Sequence, residues 1–442
     1  MGIQGLWPVL KSTRENVHIS DLDGTTLAVD GYGWMHRGAH ACATELARGE
    51  PTTKHVRWFL RKLAKLRRHR IRAIVVFDGR ALPAKSATNA TRRAARDAKK
   101  LLGDQLYGEG RHEEAREAYA AAIAVTPQMV ADVCAAVARH YPTADVRCIV
   151  APYEADPQIG YLAQTGAIDG AIAEDSDLLV YKVPLLIRCF DRRRSKRSEM
   201  PGPDRAFAYR RRDIFEPRIG TTIFEGISES DFVLVCCFAG CDYADSVDGV
   251  GIKKALKYVQ QYREVSPVLD ALQRDFDVPT GYAARLERAL LTFGHQTVLD
   301  EALGTTRHLA PLSEDARRRH GGAPDFLGAP LESDVAMAIA RCEIHPLTLE
   351  TFAAPAPAPR RVLQPPASPI LPRRRSRDEM EADEEDDDAY DEDDYWEEDE
   401  DDAAPESFLL RKRRKTAVAV VVGASAFALG AVVVGVGYAW LA

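Results

Sequence analysis

Ala151-Pro-Tyr-Glu-Ala-Asp-Pro-Gln-Ile-Gly-Tyr-Leu162 and, a few residues on, Ala171-Ile-Ala-Glu-Asp-Ser-Asp-Leu-Leu-Val-Tyr181 decide how the rest of the chain is read. Together they set out two carboxylate pairs, Glu154 with Asp156 and Asp175 with Asp177. Each pair stands beside an apolar run short enough to be a strand of a buried sheet. Acids brought near one another repel, so in a folded site some take up protons or the group gathers around cations. A donor set of oxygens alone, with no His or Cys, favours Mg²⁺ or Mn²⁺ over zinc.

Working outward, Thr26-Leu-Ala-Val-Asp30 and Ile71-Arg-Ala-Ile-Val-Val-Phe-Asp78 are two more β-rich runs that end on Asp. Function in parallel α/β sheets collects just past the carboxyl ends of strands, so Asp30 and Asp78 join the four acids already named. The expected fold is α/β, a mainly parallel central sheet flanked by helices. Between those two strands, residues 51–72 read as a basic helix whose Trp58, Phe59, Leu63 and Leu66 share one face, expected to be core rather than a nucleic-acid platform. After Asp78 comes an Ala-spaced basic stretch with Lys85, Arg92, Arg93, Arg96, Lys99 and Lys100. Helical patterning runs on to about Val125, and Thr126-Pro127 starts a new helix. A basic helical pair inserted between strands suits either a solvated face or a bridge that holds phosphates. Farther on, residues 231–242 give a buried helix ending at Asp242. Ser246-Val-Asp-Gly-Val-Gly251 then opens a helix carrying Lys253 and Lys254, a turn that presents backbone N–H groups to a phosphate.

The net charge of −7 conceals a division: of 66 acids, 20 lie between Asp378 and Glu406, where there is no Lys or Arg. Without these, and without the five basic residues of 411–415, 54 basic residues face 46 acidic ones. A positive body suits either an ordinary solvated surface or a polyanionic partner. The 8 cysteines form no C-x-x-C or Cys/His zinc spacing, so reduced thiols and a cytosolic or nuclear compartment are expected. The first residues show no signal-peptide pattern.

Six motifs in order then make a combination. They are Met1-Gly-Ile-Gln-Gly-Leu6, Val29-Asp-Gly-Tyr-Gly-Trp-Met-His-Arg-Gly-Ala39, Val76-Phe-Asp-Gly79 with Leu82-Pro83, Ala151-Pro-Tyr-Glu-Ala-Asp156, Glu174-Asp-Ser-Asp-Leu-Leu179 and Gly240-Cys-Asp-Tyr243. Through them the chain, from Met1 to about Phe352, resembles the structure-specific 5′ nucleases of the flap endonuclease and XPG kind. Tyr153, Asp156 and His36 lean toward the eukaryotic exonuclease 1 branch. The resemblance implies a PIN-like nuclease fold with a helical arch and a helix-two-turn-helix. It implies that Asp30, Asp78, Glu154, Asp156, Asp175, Asp177 and Asp242 hold two Mg²⁺ or Mn²⁺ ions, with Lys85 and Arg92 as the catalytic basic pair of the arch. By the same resemblance Gly2, Tyr32, His36, Lys85, Arg92, Arg93, Arg96, Gly249, Gly251, Lys253 and Lys254 contact DNA, and Ser246 and Val250 help hold a K⁺ ion. The chain departs at Asp248, where relatives usually have a basic residue, and at Ala239, where many have Ser.

The expected segments are 1–99 (N-terminal nuclease region), 100–137 (rest of the arch and the next helix), 138–230 (internal nuclease region), 231–352 (helix-two-turn-helix and following helices), 353–410 (Pro-rich linker and acidic disordered tail) and 411–442. The last begins with Arg411-Lys-Arg-Arg-Lys415 and continues through 27 uncharged residues, with Tyr438 and Trp440 near the far end. That pattern gives a terminal hydrophobic helix long enough to cross a bilayer, a membrane partner at the nuclear envelope or endoplasmic reticulum, and a nuclear localisation. The expected activity is 5′→3′ exonuclease and 5′-flap endonuclease action, by a monomer, on duplex DNA with 5′ ends, nicks, gaps or flaps. Repair proteins are expected partners of the acidic tail. The rivals are a replication-type flap endonuclease, a catalytically silent membrane-tethered DNA-binding scaffold and a PIN-domain ribonuclease.

Overall fold

Five short apolar runs in register make the centre of the molecule. The structure is a computed structural model that describes residues 2–192, 200–218 and 220–352. The chain divides into units 1–368 and 369–442, the second lying wholly outside the described residues. The linker, the acidic tail, the basic cluster 411–415 and the membrane-anchor expectation for 416–442 therefore fall outside them too. Among the described residues no single helix is long and apolar enough to cross a membrane.

The strands are β1 (Glu15–His18), β2 (Thr26–Asp30), β3 (Arg72–Phe77), β4 (Val146–Val150), β5 (Gly170–Ile172), β6 (Leu185–Arg188) and β7 (Arg205–Arg210). They form one sheet in the order β1-β7-β6-β5-β2-β3-β4. From β6 to β4 all neighbours are parallel, while β7 and β1 pair antiparallel at one edge. Side chains alternate across the pleat, so each strand feeds two cores. Ala28, Ile74, Val76, Ile149, Ala171 and Leu186 pack on one face. Leu27, Val29, Ala73, Val75, Phe77 and Ile187 pack on the other. Burial on both faces is what parallel strands require, and it explains why these segments read as continuous apolar runs.

The helix Lys54–Arg68 lays Trp58, Phe59, Leu63 and Leu66 into the second core, so the aromatic face is packing surface, as its spacing predicts. Trp34 meets Trp58 edge-on at 6.1 Å and Phe59 at 5.4 Å. The basic stretch becomes the helix Ser86–Gly108, which turns back into His112–Ala122; Tyr119 packs against Gly103 and its hydroxyl donates to Asp104 at 2.8 Å. Arg48 lies over the Tyr107 ring at 4.2 Å, fixing this hairpin to the body. Thr126 caps the helix Pro127–His140 by accepting from the Met129 N–H at 3.3 Å.

A second, two-stranded sheet, β8 (Thr297–Asp300) with β9 (Thr305–His308), follows the helix Tyr282–His295. It is clipped to the helix Ala155–Gln164 by the fully buried Gln158. That amide donates to the Leu299 carbonyl at 2.9 Å and accepts from the Leu299 N–H at 2.7 Å.

Phe59 is fully buried among aromatic neighbours. Phe59→Ala is expected to cost about 3–5 kcal/mol of stability, read from the shift of the urea midpoint.

Candidate active site

Four adjacent strands, β5, β2, β3 and β4, end at the same rim, and each delivers acids there. Asp30 is the last residue of β2 and caps the helix Gly31–His40, accepting from the Gly33 N–H at 3.2 Å. Asp78 follows β3, and its Oδ1 accepts the Ala155 N–H at 2.7 Å. Glu154 stands at the start of the helix Ala155–Gln164, with Asp156 in its first turn, where the helix dipole favours negative charge. Asp175 and Asp177 follow β5, and the Asp177 N–H donates to Asp175 Oδ1 at 3.0 Å. Asp242 comes from the other side, just past the helix Glu229–Ala239. Glu174 turns away to Arg188, at 3.1 Å, and Arg192, at 2.9 Å, which leaves its neighbour Asp175 for the rim.

The floor of this rim is closed by the first residues of the chain. The Ile3 N–H donates to the buried Ser176 Oγ at 2.8 Å. Gly2 has φ of 87°, and a Cβ there would meet Asp175 Oδ1 at 2.2 Å and Ser176 Oγ at 2.4 Å, so only glycine fits.

Lys85 is the internal counter-ion. Its Nζ lies 2.8 Å from Glu154 Oε1 and 2.7 Å from Asp242 Oδ2. In the helix that follows, Arg92 Nη2 donates to both Asp242 oxygens at 2.9 and 3.0 Å. Burial disfavours the Lys85 charge, but the two carboxylates outweigh it and hold its pKa well above the ordinary lysine value. Burial also works to raise Asp242, yet Lys85 and Arg92 bring its carboxyl below the usual range.

Five aspartates of the rim behave in the opposite way. Burial, then Asp78 and Asp175, push Asp30 up to about 7. Burial and Glu154 push Asp78 up to about 6. Asp156 and Asp177, buried and facing Asp175, are held well above the carboxylate range, and burial raises Asp175 itself. Asp177 Oδ1 is buried without a hydrogen-bond partner.

Among the described residues no three acidic side chains form a ready coordination shell. Lys85 holds Glu154 Oε1 and Asp242 Oδ2 to itself. The donor chemistry nevertheless suits hard divalent cations: oxygen ligands only, an unpartnered buried carboxylate oxygen and several acids whose charge lacks compensation.

The remaining expected positions divide into three groups. Tyr32 and His36 stand one turn apart on the helix Gly31–His40. Burial, with Asp78 and Asp30, raises the Tyr32 hydroxyl, and burial, with His40 and Arg96, lowers His36. Arg93 lies exposed on the helix Ser86–Gly108 and Arg96 half-buried. Gly249, with φ of 78°, makes the turn before the helix Ile252–Tyr262, whose N-cap is Gly251 and whose Lys253 and Lys254 lie exposed. Lys254 is folded back, its Nζ donating to the Gly249 carbonyl at 2.7 Å and lying 4.9 Å from the Phe276 ring centre. Ser246 is half-buried and Val250 buried in the same turn.

Two further residues shape the site without an expected role: Tyr243, which closes the Gly240–Tyr243 motif, and Gln296, which no motif contains. Tyr243 donates to Glu154 Oε2 at 2.7 Å, and Gln296 donates to the same oxygen at 3.0 Å. Tyr243 follows a motif acid and was within reach of sequence reading. Gln296 lies 142 residues from Glu154 with no local pattern to mark it.

The raised acids give a signed pH dependence. Their folded forms keep protons to higher pH than the unfolded chain, so the stability they contribute is full below the ordinary carboxylate value and lost as pH rises through about 6 for Asp78 and about 7 for Asp30. In chelator the melting temperature is expected to fall from pH 5 to 8. Asp30→Asn, which keeps the cap acceptor and removes the charge, should raise it at pH 8 by roughly 5 °C and change it little at pH 5, as calorimetry would record.

Comparison with known proteins matches two family models: the XPG N-terminal domain over residues 1–99 and the XPG I-region over residues 145–242. The chain is 33% identical to Exonuclease 1 of Arabidopsis thaliana over 81% of this chain and 46% of that protein. It is likewise 33% identical to Exodeoxyribonuclease 1 of Schizosaccharomyces pombe, over 80% of this chain and 58% of that one. It thus spans about half the length of the curated relatives it matches. Among solved structures, it is similar to the catalytic core of Rad2 in complex with DNA substrate, at 19% identity, 66% and 80% coverage of the two chains and a TM-score of 0.45. The chain belongs to the XPG-like family of structure-specific 5′ nucleases.

Proposed function

We propose that the protein is a metal-dependent 5′→3′ exonuclease of double-stranded DNA with 5′-flap endonuclease activity, working in DNA repair in the nucleus. One observation carries the reading: the carboxyl ends of β2, β3, β4 and β5 bring Asp30, Asp78, Glu154, Asp156, Asp175 and Asp177 to one rim, and Asp242 meets them across Lys85. Curated relatives named as exonucleases add support.

In this reading the seven carboxylates hold two Mg²⁺ or Mn²⁺ ions, which supply a water nucleophile and charge stabilisation at the phosphodiester. Lys85 and Arg92 leave their carboxylate partners for the scissile phosphate, neutralising the charge that develops on it. Arg93 and Arg96 extend the basic face of the arch along the strand, and Tyr32 and His36 pack against bases where the duplex splits. Lys253, Lys254 and the N–H groups around Gly249 and Gly251 hold the backbone of the uncut duplex. A K⁺ ion beside Ser246 and Val250, a nuclease body of 1–99 and 138–230, and a duplex-binding region of 231–352 belong to the same proposal. So do an acidic tail that receives repair proteins and a membrane tether at 416–442.

Asp175→Ala is expected to abolish Mg²⁺-dependent cleavage while DNA binding persists. Unsubstituted protein inert in both Mg²⁺ and Mn²⁺ would instead favour a binding scaffold. Lys85→Met should lower kcat by about 100- to 1000-fold with little change in KM. Mononucleotide release from recessed 5′ ends, measured beside cutting of long 5′ flaps, separates the exonuclease from a flap endonuclease: flaps cut alone would overturn the exonuclease assignment. Lys253→Ala should weaken duplex binding evenly across sequences and reduce the salt slope of binding by about 1.

A further inference from the structure

The side chain that orients Glu154 lies outside every motif of the chain. Gln296 stands where the helix Tyr282–His295 passes into β8, and it is fully buried. Its Nε2 donates to Glu154 Oε2 at 3.0 Å and reaches the Tyr243 hydroxyl at 3.4 Å. Tyr243 donates to the same Oε2 at 2.7 Å and has the Tyr181 hydroxyl 3.0 Å behind it. Glu154 Oε2 is therefore committed to two donors, and the carboxylate can rotate only by breaking both. Its other oxygen, Oε1, faces the rim, where the Lys85 ammonium meets it at 2.8 Å.

The elements that carry the two residues are locked together. Gln158, on the helix that Glu154 begins, bonds both ways to Leu299 in β8, three residues past Gln296. Gln296 is also an unfavourable choice for packing alone. Its Oε1 is buried without a partner, a cost to folding that an apolar side chain of similar size avoids. A group that burdens the core while donating to a reactive carboxylate is placed for that carboxylate.

We propose that Gln296 is a positioning residue that, with Tyr243, holds Glu154 as a one-oxygen ligand, Oε2 anchored and Oε1 presented to a divalent cation. The inference rests on the metal-dependent nuclease reading and assigns the β8 region, which lies outside both matched family domains, a part in cation binding.

The test is Mn²⁺ titration of the full chain without DNA, followed by electron paramagnetic resonance, beside thermal melting. Gln296→Leu and Gln296→Asn, the second keeping an amide too short to reach Glu154, should each weaken Mn²⁺ binding about 10-fold or more. In cleavage assays the same variants should need correspondingly more Mg²⁺ for half-maximal rate. Leu63→Ala opens a cavity in the core on the other face of the sheet without touching Glu154, so it should lower the melting temperature and leave Mn²⁺ affinity unchanged. Unaltered Mn²⁺ affinity in the Gln296 variants overturns the inference. So does a loss that merely follows melting temperature in all three, since that is what a packing role produces. Absence of Mn²⁺ binding by the unsubstituted chain overturns the nuclease reading itself, and this inference with it.

Discussion

Repulsion among buried carboxylates is the constraint around which this molecule is arranged. A parallel sheet sends its strand ends to one rim, and four neighbouring strands here lead into acids within a few residues. Each acid loses hydration there and gains like-charged neighbours, so the natural response is protonation, as the upward shifts of Asp30, Asp78, Asp156, Asp175 and Asp177 record. Stability gained elsewhere, in the two cores that sandwich the sheet, carries this cost. Such strain is what a site that binds cations requires, because ions relieve it.

Asp242 is the exception, and the reason is its position. It reaches the rim from a helix outside the sheet and meets Lys85 and Arg92, which rise from the base of the arch. The same two cations tie the helix Ser86–Gly108 and the turn before it to the acidic rim, so the segment proposed to grip a substrate strand and the segment proposed to hold metal share their ion pairs. Under the proposed function, a phosphate arriving at the rim would compete with Glu154 and Asp242 for these cations, which would couple substrate entry to release of the carboxylates.

A second tie runs through neutral groups. Gln158 and Gln296 join the helix after β4 to β8, and Tyr181 and Tyr243 complete the chain of donors behind Glu154. Buried networks of this kind fix one geometry when their members are satisfied. Here one acceptor, Gln296 Oε1, stays unpaired.

Much of this was legible in the sequence because it is local. Apolar runs ending in Asp gave β2 and β3 and placed Asp30 and Asp78 at strand ends, and Thr126-Pro127 marked a helix start that the structure has at Pro127. The spacing of Trp58, Phe59, Leu63 and Leu66 identified a core face, since a helix repeats every 3.6 residues whatever surrounds it. The ordered motifs pointed to the family. What the chain alone could not settle was how the acids stand toward one another: Lys85 between Glu154 and Asp242, the absence of a ready ion shell among the described residues, and an anchoring amide 142 residues from the carboxylate it holds. Covalent neighbours and periodicity fix where a side chain points on its own element. Distances between elements come only from packing, and it was packing that turned a scattered set of acids into one strained rim.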